Sequence, residues 1–575
     1  MKVALIQCPV WWTMDPPLGL AQAAGCLSHH GHEVSVFDLN IELARSQPKG
    51  YESLWNWEQF QFWNQPDTVR AFFRDNSKPI ESQLERVLRT DAGLIGFSVY
   101  SGSQLASLEF ARLVKKADPS RKIVFGGQYL FIPKNADGII RDPAVDGVLC
   151  GPAEETLPEL AALLEATGGI PVLPGMKAKE GGRVVDGGPS QPLRDLDQVP
   201  FADFCGLPLE LYDVQDRLPI QASRGCVWNC RFCSCPPFWK GYASMSGDRI
   251  WAEIEHQRKL FPGKKHFEFF DLTANGDVRA LSRLADLAIE DLRVHGPQNY
   301  FGWKINAILR PEMTPDLLDR LMKAGCHDII YGVESGSPRV RKLMNKPFTD
   351  EVADRVLADT QAAGILTVGN FMFGFPGETE ADFQQTLEFL RRNQGSFDRV
   401  YGSATFTSLE EGSYLAAHRK EFGVREDGEV FHNLYWESVD GTNDYPVRLD
   451  RYQRFLKLAV ELGLDPYKGI GGSLEGDRFA NLAQFYRYQG DHVAAVRNLL
   501  EYLKLDPESR PMREELGRYA SDIQRIAGAH QGGTNGPVDG LRDRATLRRT
   551  ADGAFVKWDR SAELRVEEFL AMMRG

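Results

Sequence analysis

No apolar run in the 575-residue chain approaches the ~20 residues needed to cross a bilayer, so no membrane span is expected. An excess of positive charge is also missing. With 67 Lys and Arg against 79 Asp and Glu, the net charge is −12, which argues against broad nucleic-acid binding. The start, Met1-Lys-Val-Ala-Leu-Ile, runs straight into a strand-like segment without a signal-peptide layout. Nine mostly scattered cysteines are too few for a disulfide scaffold and suit a reducing cytoplasm. What remains is ordinary globular composition, 43% hydrophobic and 25% charged. The length predicts roughly three or four domains.

Three of the cysteines are close together. Cys226, Cys230 and Cys233 lie in Gly225-Cys-Val-Trp-Asn-Cys-Arg-Phe-Cys-Ser. Thiolates are soft ligands suited to iron–sulfur chemistry. Three of them can hold three irons of a four-iron cluster and leave the fourth open to oxygen and nitrogen ligands. A zinc knuckle short of one ligand, or three unrelated core thiols, would share the spacing. Cys235 adds an alternative third ligand or a structural thiol.

Around this loop the chain alternates between strands and helices. In residues 1–165, strands are predicted at Val3–Ile6, Val34–Asp38, Leu94–Ser98, Ile123–Phe125 and Gly147–Leu149. Helices are predicted at Pro17–His29, Ser103–Lys116 and Pro152–Leu164, the last with Pro152 in its first turn. Ligands of such parallel sheets bind beyond the strands' carboxyl ends. Residues 41–90, with Trp55, Trp57, Phe60, Phe62, Trp63, Phe72 and Phe73, read as a helical insertion with its own small core. Residues 166–200 read as a Gly/Pro-rich linker. A second series has strands at Pro219–Ala222, His266–Asp271, Tyr300–Ile305, Asp328–Gly332, Leu366–Phe373 and Arg399–Phe406. Six such units make a partial (β/α)6 barrel. The expected organisation is an α/β multidomain chain: a Rossmann-like, flavodoxin-like domain over 1–190, a barrel over 200–425, and a mainly helical domain over 426–575. Gly490–Pro507 resembles half of a tetratricopeptide hairpin, and Arg542–Arg549 reads as solvated surface.

The cysteine spacing with Arg224-Gly225, Phe232 and Ser234 resembles the signature of the radical S-adenosylmethionine (SAM) superfamily. Phe232 in the aromatic slot favours the triad without Cys235. The resemblance implies a [4Fe-4S] cluster on Cys226, Cys230 and Cys233 that binds SAM at its open iron and cleaves it to a 5′-deoxyadenosyl radical. It further implies SAM contacts from Asp271 and Thr273 after the second barrel strand, and from Asn306 and Arg310 after the third. Glu334 in Tyr331-Gly-Val-Glu-Ser-Gly-Ser, Arg341 with Asn345-Lys346, and Gly377 in Phe373-Gly-Phe-Pro-Gly-Glu-Thr complete that set.

The N-terminal layout resembles the cobalamin-binding domain found ahead of one radical SAM class. The corresponding cobalamin contacts are Pro17, Leu18, Gly19, Ser98, Tyr100, Gly102, Gly126, Gly127, Gln128, Gly151 and Glu154. The chain has no Asp-x-His-x-x-Gly, so a histidine on the lower face of cobalt is not expected, and His29, His30 and His32 are read as a helix cap or surface. The implied activity is C-methylation of an unactivated carbon in a small molecule or peptide, fed by an external one-electron reductant of flavodoxin or ferredoxin type. Oxidative ring closure on the same architecture is the alternative, followed by a methylthiotransferase-like RNA-modifying enzyme and a non-catalytic scaffold. Tyr401 and Thr405, near the sixth barrel strand, are candidate substrate contacts, with Glu410 and Glu411 close by.

Overall fold

The computed structural model describes residues 1–46, 52–55, 63–191, 195–235, 241–403, 406–425, 433–466, 474–489 and 491–507, together with 193, 239, 509, 512, 513, 515–517, 546–549 and 555–558. Trp57, Phe60, Phe62, Thr405, Gly490 and positions 542–545 lie outside the described residues.

Strands β1 (Lys2–Gln7), β2 (Glu33–Asp38), β3 (Leu94–Ser98), β4 (Lys122–Gly126) and β5 (Gly147–Leu149) pair in parallel in the order β2-β1-β3-β4-β5. This is the flavodoxin-like order, with its switch point between β1 and β3. Val3 and Leu5 face one core while Ala4 and Ile6 face the other. A sheet buried on both faces therefore reads as continuous apolar runs. The aromatic insertion does not keep a core to itself, since Trp63 and Phe72 join the second of these cores.

Two expectations are corrected. The helix predicted from Pro152 begins at Thr156, so Pro152 and Glu154 stay in the loop. The stretch read as a linker contains β6 (Met176–Glu180) and β7 (Arg183–Asp186), antiparallel strands that extend the sheet past β5. Gly181 and Gly182 turn between them at φ 57° and 80°, the geometry of a two-glycine hairpin.

The second sheet runs β8 (Arg217–Ile220), β11 (His266–Phe269), β12 (Gly302–Ala307), β13 (Cys326–Glu334), β14 (Leu366–Phe371), β15 (Arg399–Gly402) and β16 (Asp465–Pro466), all parallel. A two-residue ribbon, β9 (Ser223–Arg224) with β10 (Ala243–Ser244), flanks the cysteine loop. Helices that follow the strands are capped by Ser246, Asp277, Thr314, Thr349 and Thr379, whose side chains accept from first-turn N–H groups. The helix Tyr445–Glu461 packs Phe455 on Phe371 and Phe373, with ring centres 4.7 and 5.1 Å apart. Helices Leu474–Tyr488 and His492–Leu505 bury Ala480, Ala483, Val496 and Leu499 between them. A hairpin of β17 (Thr546–Arg549) and β18 (Phe555–Trp558) adds strand to a region expected to be helical. Among the described residues no helix is long and apolar enough to cross a membrane.

Candidate functional site at the barrel mouth

Loops from the carboxyl end of the first sheet lie against the barrel. After β1, Trp12 meets Phe270 edge-on at 5.7 Å. Buried Asp15 takes hydrogen bonds of 2.5 and 2.6 Å from Arg217, which also pairs with Glu268 at 2.9 Å. After β4, Phe131 meets Trp239 at 5.9 Å. After β5, Glu154 pairs with Arg224, two residues ahead of Cys226. Burial opposes the Glu154 charge, but the Arg224 guanidinium holds its carboxyl below the ordinary range. Oε2 of Glu154 and Nη1 of Arg224 are buried without a hydrogen-bond partner.

The cysteine loop leaves β9 through Gly225 at φ 77°, where a Cβ would stand 2.0 Å from the Gly241 carbonyl oxygen; only glycine fits. Thr273 Oγ1 lies 3.0 Å from Cys226 Sγ, and the Trp228 N–H donates to the same sulfur. Burial pushes the Cys230 thiol up to about 12, with Lys346 opposing and Glu334, Cys226 and Cys233 adding to it. The Cys233 thiol is held down at about 7, chiefly by a hydrogen bond from Cys235, whose own thiol is pushed up in return. Among the described residues no three His, Cys, Asp or Glu side chains form a group for one metal ion. Cys226, Cys230 and Cys233 lie in one loop, where three thiolates that each took a different iron of a cluster would not need to converge on one point.

Several candidate SAM contacts are already engaged by protein. The Asp271 carboxylate accepts from Ala222 N–H at 3.0 Å and from the Ser223 hydroxyl; burial raises it to about 6. It therefore pins the segment that launches the cysteine loop. Asn306 donates to the Asp271 carbonyl at 3.1 Å. Arg310 is spent on the Asn275 and Gly276 carbonyls and on Glu312. Arg341 is buried against Asp350, the Ser335 carbonyl and the Phe348 ring. Gly377, at φ 85°, gives its carbonyl to Arg339.

Glu334 is different. It ends β13 at φ 65°, a left-handed conformation rare outside glycine, and its Oε1 takes a 3.2 Å contact from Lys346 Nζ. That ammonium also sits 5.5 Å from the Trp228 ring and 5.9 Å from Phe232. Glu334, Lys346 and the cysteine loop thus form one cluster.

The candidate cobalamin positions divide. Gly19 is exposed, with only the Tyr100 hydroxyl 3.7 Å from a built Cβ, so the backbone there stays approachable. Pro17 caps its helix by carbonyl, receiving Leu20 and Ala21 N–H. Leu18 is half-buried in that first turn, Ser98 ends β3, Gly102 is buried, and Gln128 is exposed in a one-turn helix after Gly126. Gly127, at φ 111°, and Gly151 are needed for other reasons: built Cβ atoms would strike Val99 at 2.5 Å and Ser190 at 2.4 Å. His30 and His32 bond to Cys26 and Met1, at the opposite end of the sheet from these loops.

Trp11 was not anticipated. It stacks on Tyr100 with ring centres 4.1 Å apart, and its Nε1 is buried without an acceptor. Two consecutive tryptophans directly after the first strand were the available signal. Tyr401 lies half-buried on β15.

Residues 220–390 match the radical SAM superfamily. That span holds the cysteine loop and the barrel strands β11 to β14. The fold as a whole is similar to that of solved radical SAM proteins with cobalamin bound. The radical SAM methyltransferase TsrM of Kitasatospora setae superposes with a TM-score of 0.55 at 16% identity, over 92% of this chain and 99% of that one. TsrM has been solved with cobalamin and a [4Fe-4S] cluster, and with tryptophan substrate and a SAM analogue. An uncharacterized methyltransferase of Pyrococcus horikoshii is 26% identical over 430 residues, 72% of this chain and 82% of its own. The ribosomal protein uS12 methylthiotransferase RimO of Acidithiobacillus ferrooxidans is 29% identical over 315 residues, 48% of this chain and 67% of its own.

Proposed function

We propose that the chain is a cobalamin-dependent radical SAM methyltransferase that methylates an unactivated carbon of a small molecule or peptide, drawing electrons from an external flavodoxin- or ferredoxin-type reductant. The observation that carries this is the contact of β1, β4 and β5 loops with the barrel around Arg224 and Trp239, which puts the flavodoxin-like sheet beside the cysteine loop. Cys226, Cys230 and Cys233 would hold the [4Fe-4S] cluster, and the loops around Pro17–Gly19, Ser98–Gly102 and Gly126–Gln128 would hold cobalamin. Such a pair of cofactors supplies radical generation and a transferable methyl group.

The protein's own residues bind and orient. Trp11 on Tyr100 offers a flat apolar wall, and the free Trp11 N–H is a donor awaiting an acceptor. Glu334 and Lys346 present one charge of each sign beside the cysteine loop, matched to the ammonium and carboxylate of an amino-acid group. Tyr401 and Thr405 are the proposed substrate contacts.

The RimO likeness raises a methylthiotransferase reading, which would call for further cluster cysteines near the N-terminus. Cys8 and Cys26 are buried in cores on opposite faces of the first sheet, so they do not gather into a second ligand set. Anaerobic reconstitution with iron, sulfide and hydroxocobalamin tests the proposal. Bound corrin, with 5′-deoxyadenosine and S-adenosylhomocysteine formed together and a product heavier by one methylene unit, is expected. A product lighter by two hydrogens would move the enzyme to oxidative ring closure, and protein that binds a cluster but no corrin would remove the cobalamin half of the reading.

A further inference from the structure

The loop after β14, Phe373-Gly-Phe-Pro-Gly-Glu378, is held in shape from outside the matched superfamily segment. Asn443, buried just ahead of the helix Tyr445–Glu461, donates from Nδ2 to the carbonyls of Gly374 and Phe375 at 3.0 and 3.4 Å. Arg451 on that helix gives Nη1 to Glu378 Oε2 at 2.9 Å, and the same oxygen receives the Gly374 N–H at 2.6 Å. Both members of this ion pair are almost fully buried, with side-chain exposures of 3% and 1%. Arg448 closes the arrangement. Its stem occupies the space where a Gly374 Cβ would stand, 2.2 Å from Cγ, and Gly374 is at φ 70°. Its head donates to the Leu434 and Trp436 carbonyls at 2.9 Å each and stacks 4.0 Å over the Trp436 ring. Trp436 in turn donates to Thr407, whose N–H and hydroxyl return to the Phe373 carbonyl.

A loop needing only to close a strand–helix connection has no use for two buried arginines and an asparagine. Buried guanidinium and carboxylate groups carry a desolvation penalty and are weak sources of stability, but they fix geometry closely through several directed bonds. These bonds occupy the Gly374 and Phe375 carbonyls and the Gly374 N–H, and so fix the turn that leaves Gly377, a candidate SAM contact, exposed at φ 85°.

We propose that Asn443, Arg448 and Arg451 are positioning residues for SAM: the C-terminal segment clamps the 373–378 loop in the form that receives the nucleoside end of SAM. This rests on the radical SAM reading of the barrel. It gives the segment beyond residue 425 a role in every turnover, whatever the substrate.

The test uses the full-length reconstituted protein with Asn443→Ala, and Asn443→Ser as a milder variant should the first lose iron. SAM affinity is read by equilibrium dialysis, and hydrogen exchange by peptides spanning 371–379. Turnover is read as 5′-deoxyadenosine at saturating SAM. The expected result is a full iron complement, faster exchange confined to the loop, a SAM Kd raised at least tenfold, and kcat within threefold of wild type. Unchanged SAM affinity alongside a loosened loop, or a kcat loss at unchanged affinity, overturns the clamp. Iron loss in both variants also overturns it, by making Asn443 a general structural residue. If wild-type protein with a full cluster fails to bind SAM at all, the radical SAM reading itself has failed, and the exchange data still report separately whether Asn443 restrains the loop.

Discussion

At the carboxyl end of the first sheet Trp11 stacks on Tyr100, with the exposed backbone of Gly19 beside them. Two of its buried acids, Asp15 and Glu154, are turned away onto barrel arginines. The barrel mouth carries the reverse: thiols, a strained glutamate and a buried lysine in one cluster. One end suits a broad planar ligand held by contact area and a few hydrogen bonds. The other suits a compact zwitterion and a metal cluster. Two ligands of such different character would not compete, because each end offers what the other lacks.

The sharpest way to break this division is at the thiols. Cys226→Ala, Cys230→Ala and Cys233→Ala should each abolish 5′-deoxyadenosine formation, a loss of at least about a thousandfold, since no other side chain can replace a thiolate on its iron. Cys235→Ala should retain iron and stay within about threefold. Iron content and turnover of the four variants decide it, and a loss confined to Cys235→Ala would mean the ligand set is misdrawn.

Next in size is the charge pair. Lys346→Met leaves Glu334 without its cation and should raise the KM for SAM about tenfold or more, a loss of the order of one charged hydrogen bond, with cluster absorbance retained. An unchanged KM would make Lys346 a packing residue of Trp228 and Phe232. At the other end, Trp11→Ala should weaken corrin retention by about tenfold, in line with the loss of one aromatic stack and its burial, while SAM cleavage continues. Corrin absorbance after gel filtration, set against 5′-deoxyadenosine yield, separates the two ends. If both fall together, the ends are not independent.

These contrasts were only partly visible in the chain. Strands such as Leu94–Ser98 and Gly147–Leu149 were legible to the residue because buried parallel strands are short apolar runs bounded by turn residues. The β6–β7 hairpin was not, because Met176–Glu180 alternates only two apolar residues with charged ones and the edge strand Arg183–Asp186 is mostly exposed, leaving Gly181-Gly182 as the strong mark. In the site, the motifs located Asp271, Arg310 and Arg341 at strand ends. Which groups those side chains bond is set by tertiary neighbours, Ala222, Asn275 and Asp350, which lie 49, 35 and 9 residues away in the chain. The arginines of Tyr445–Glu461 look like an amphipathic helix's ordinary charges until Glu378 and Gly374 are brought beneath them.

The remaining contrast concerns two buried acids near the carboxyl end of the first sheet. Glu154 faces a guanidinium and is held low. Asp38 faces only neutral donors, the Tyr212 hydroxyl at 2.6 Å and the Ile41 N–H at 3.1 Å, and burial raises it to about 6. The signs of their pH dependence are therefore opposite. Asp38 binds its proton more tightly folded than unfolded, so its contribution is full below pH ~4 and declines as pH rises through about 6, by at most about 3 kcal/mol. Glu154 contributes above its unfolded value, and that contribution is lost as pH falls. Asp38→Asn keeps a carbonyl oxygen to accept from Tyr212 and Ile41 but cannot ionise. Thermal midpoints of wild type and variant, measured from pH 4 to 8, should separate as pH rises, with the variant the more stable above pH 6. Glu154→Gln leaves Arg224 buried without a counter-charge and should be the less stable of its pair at neutral pH, with the gap narrowing only below the unfolded value of about 4.5. Parallel curves for Asp38→Asn and wild type would mean that Asp38 ionises freely in the fold, and the contrast between the two acids would disappear.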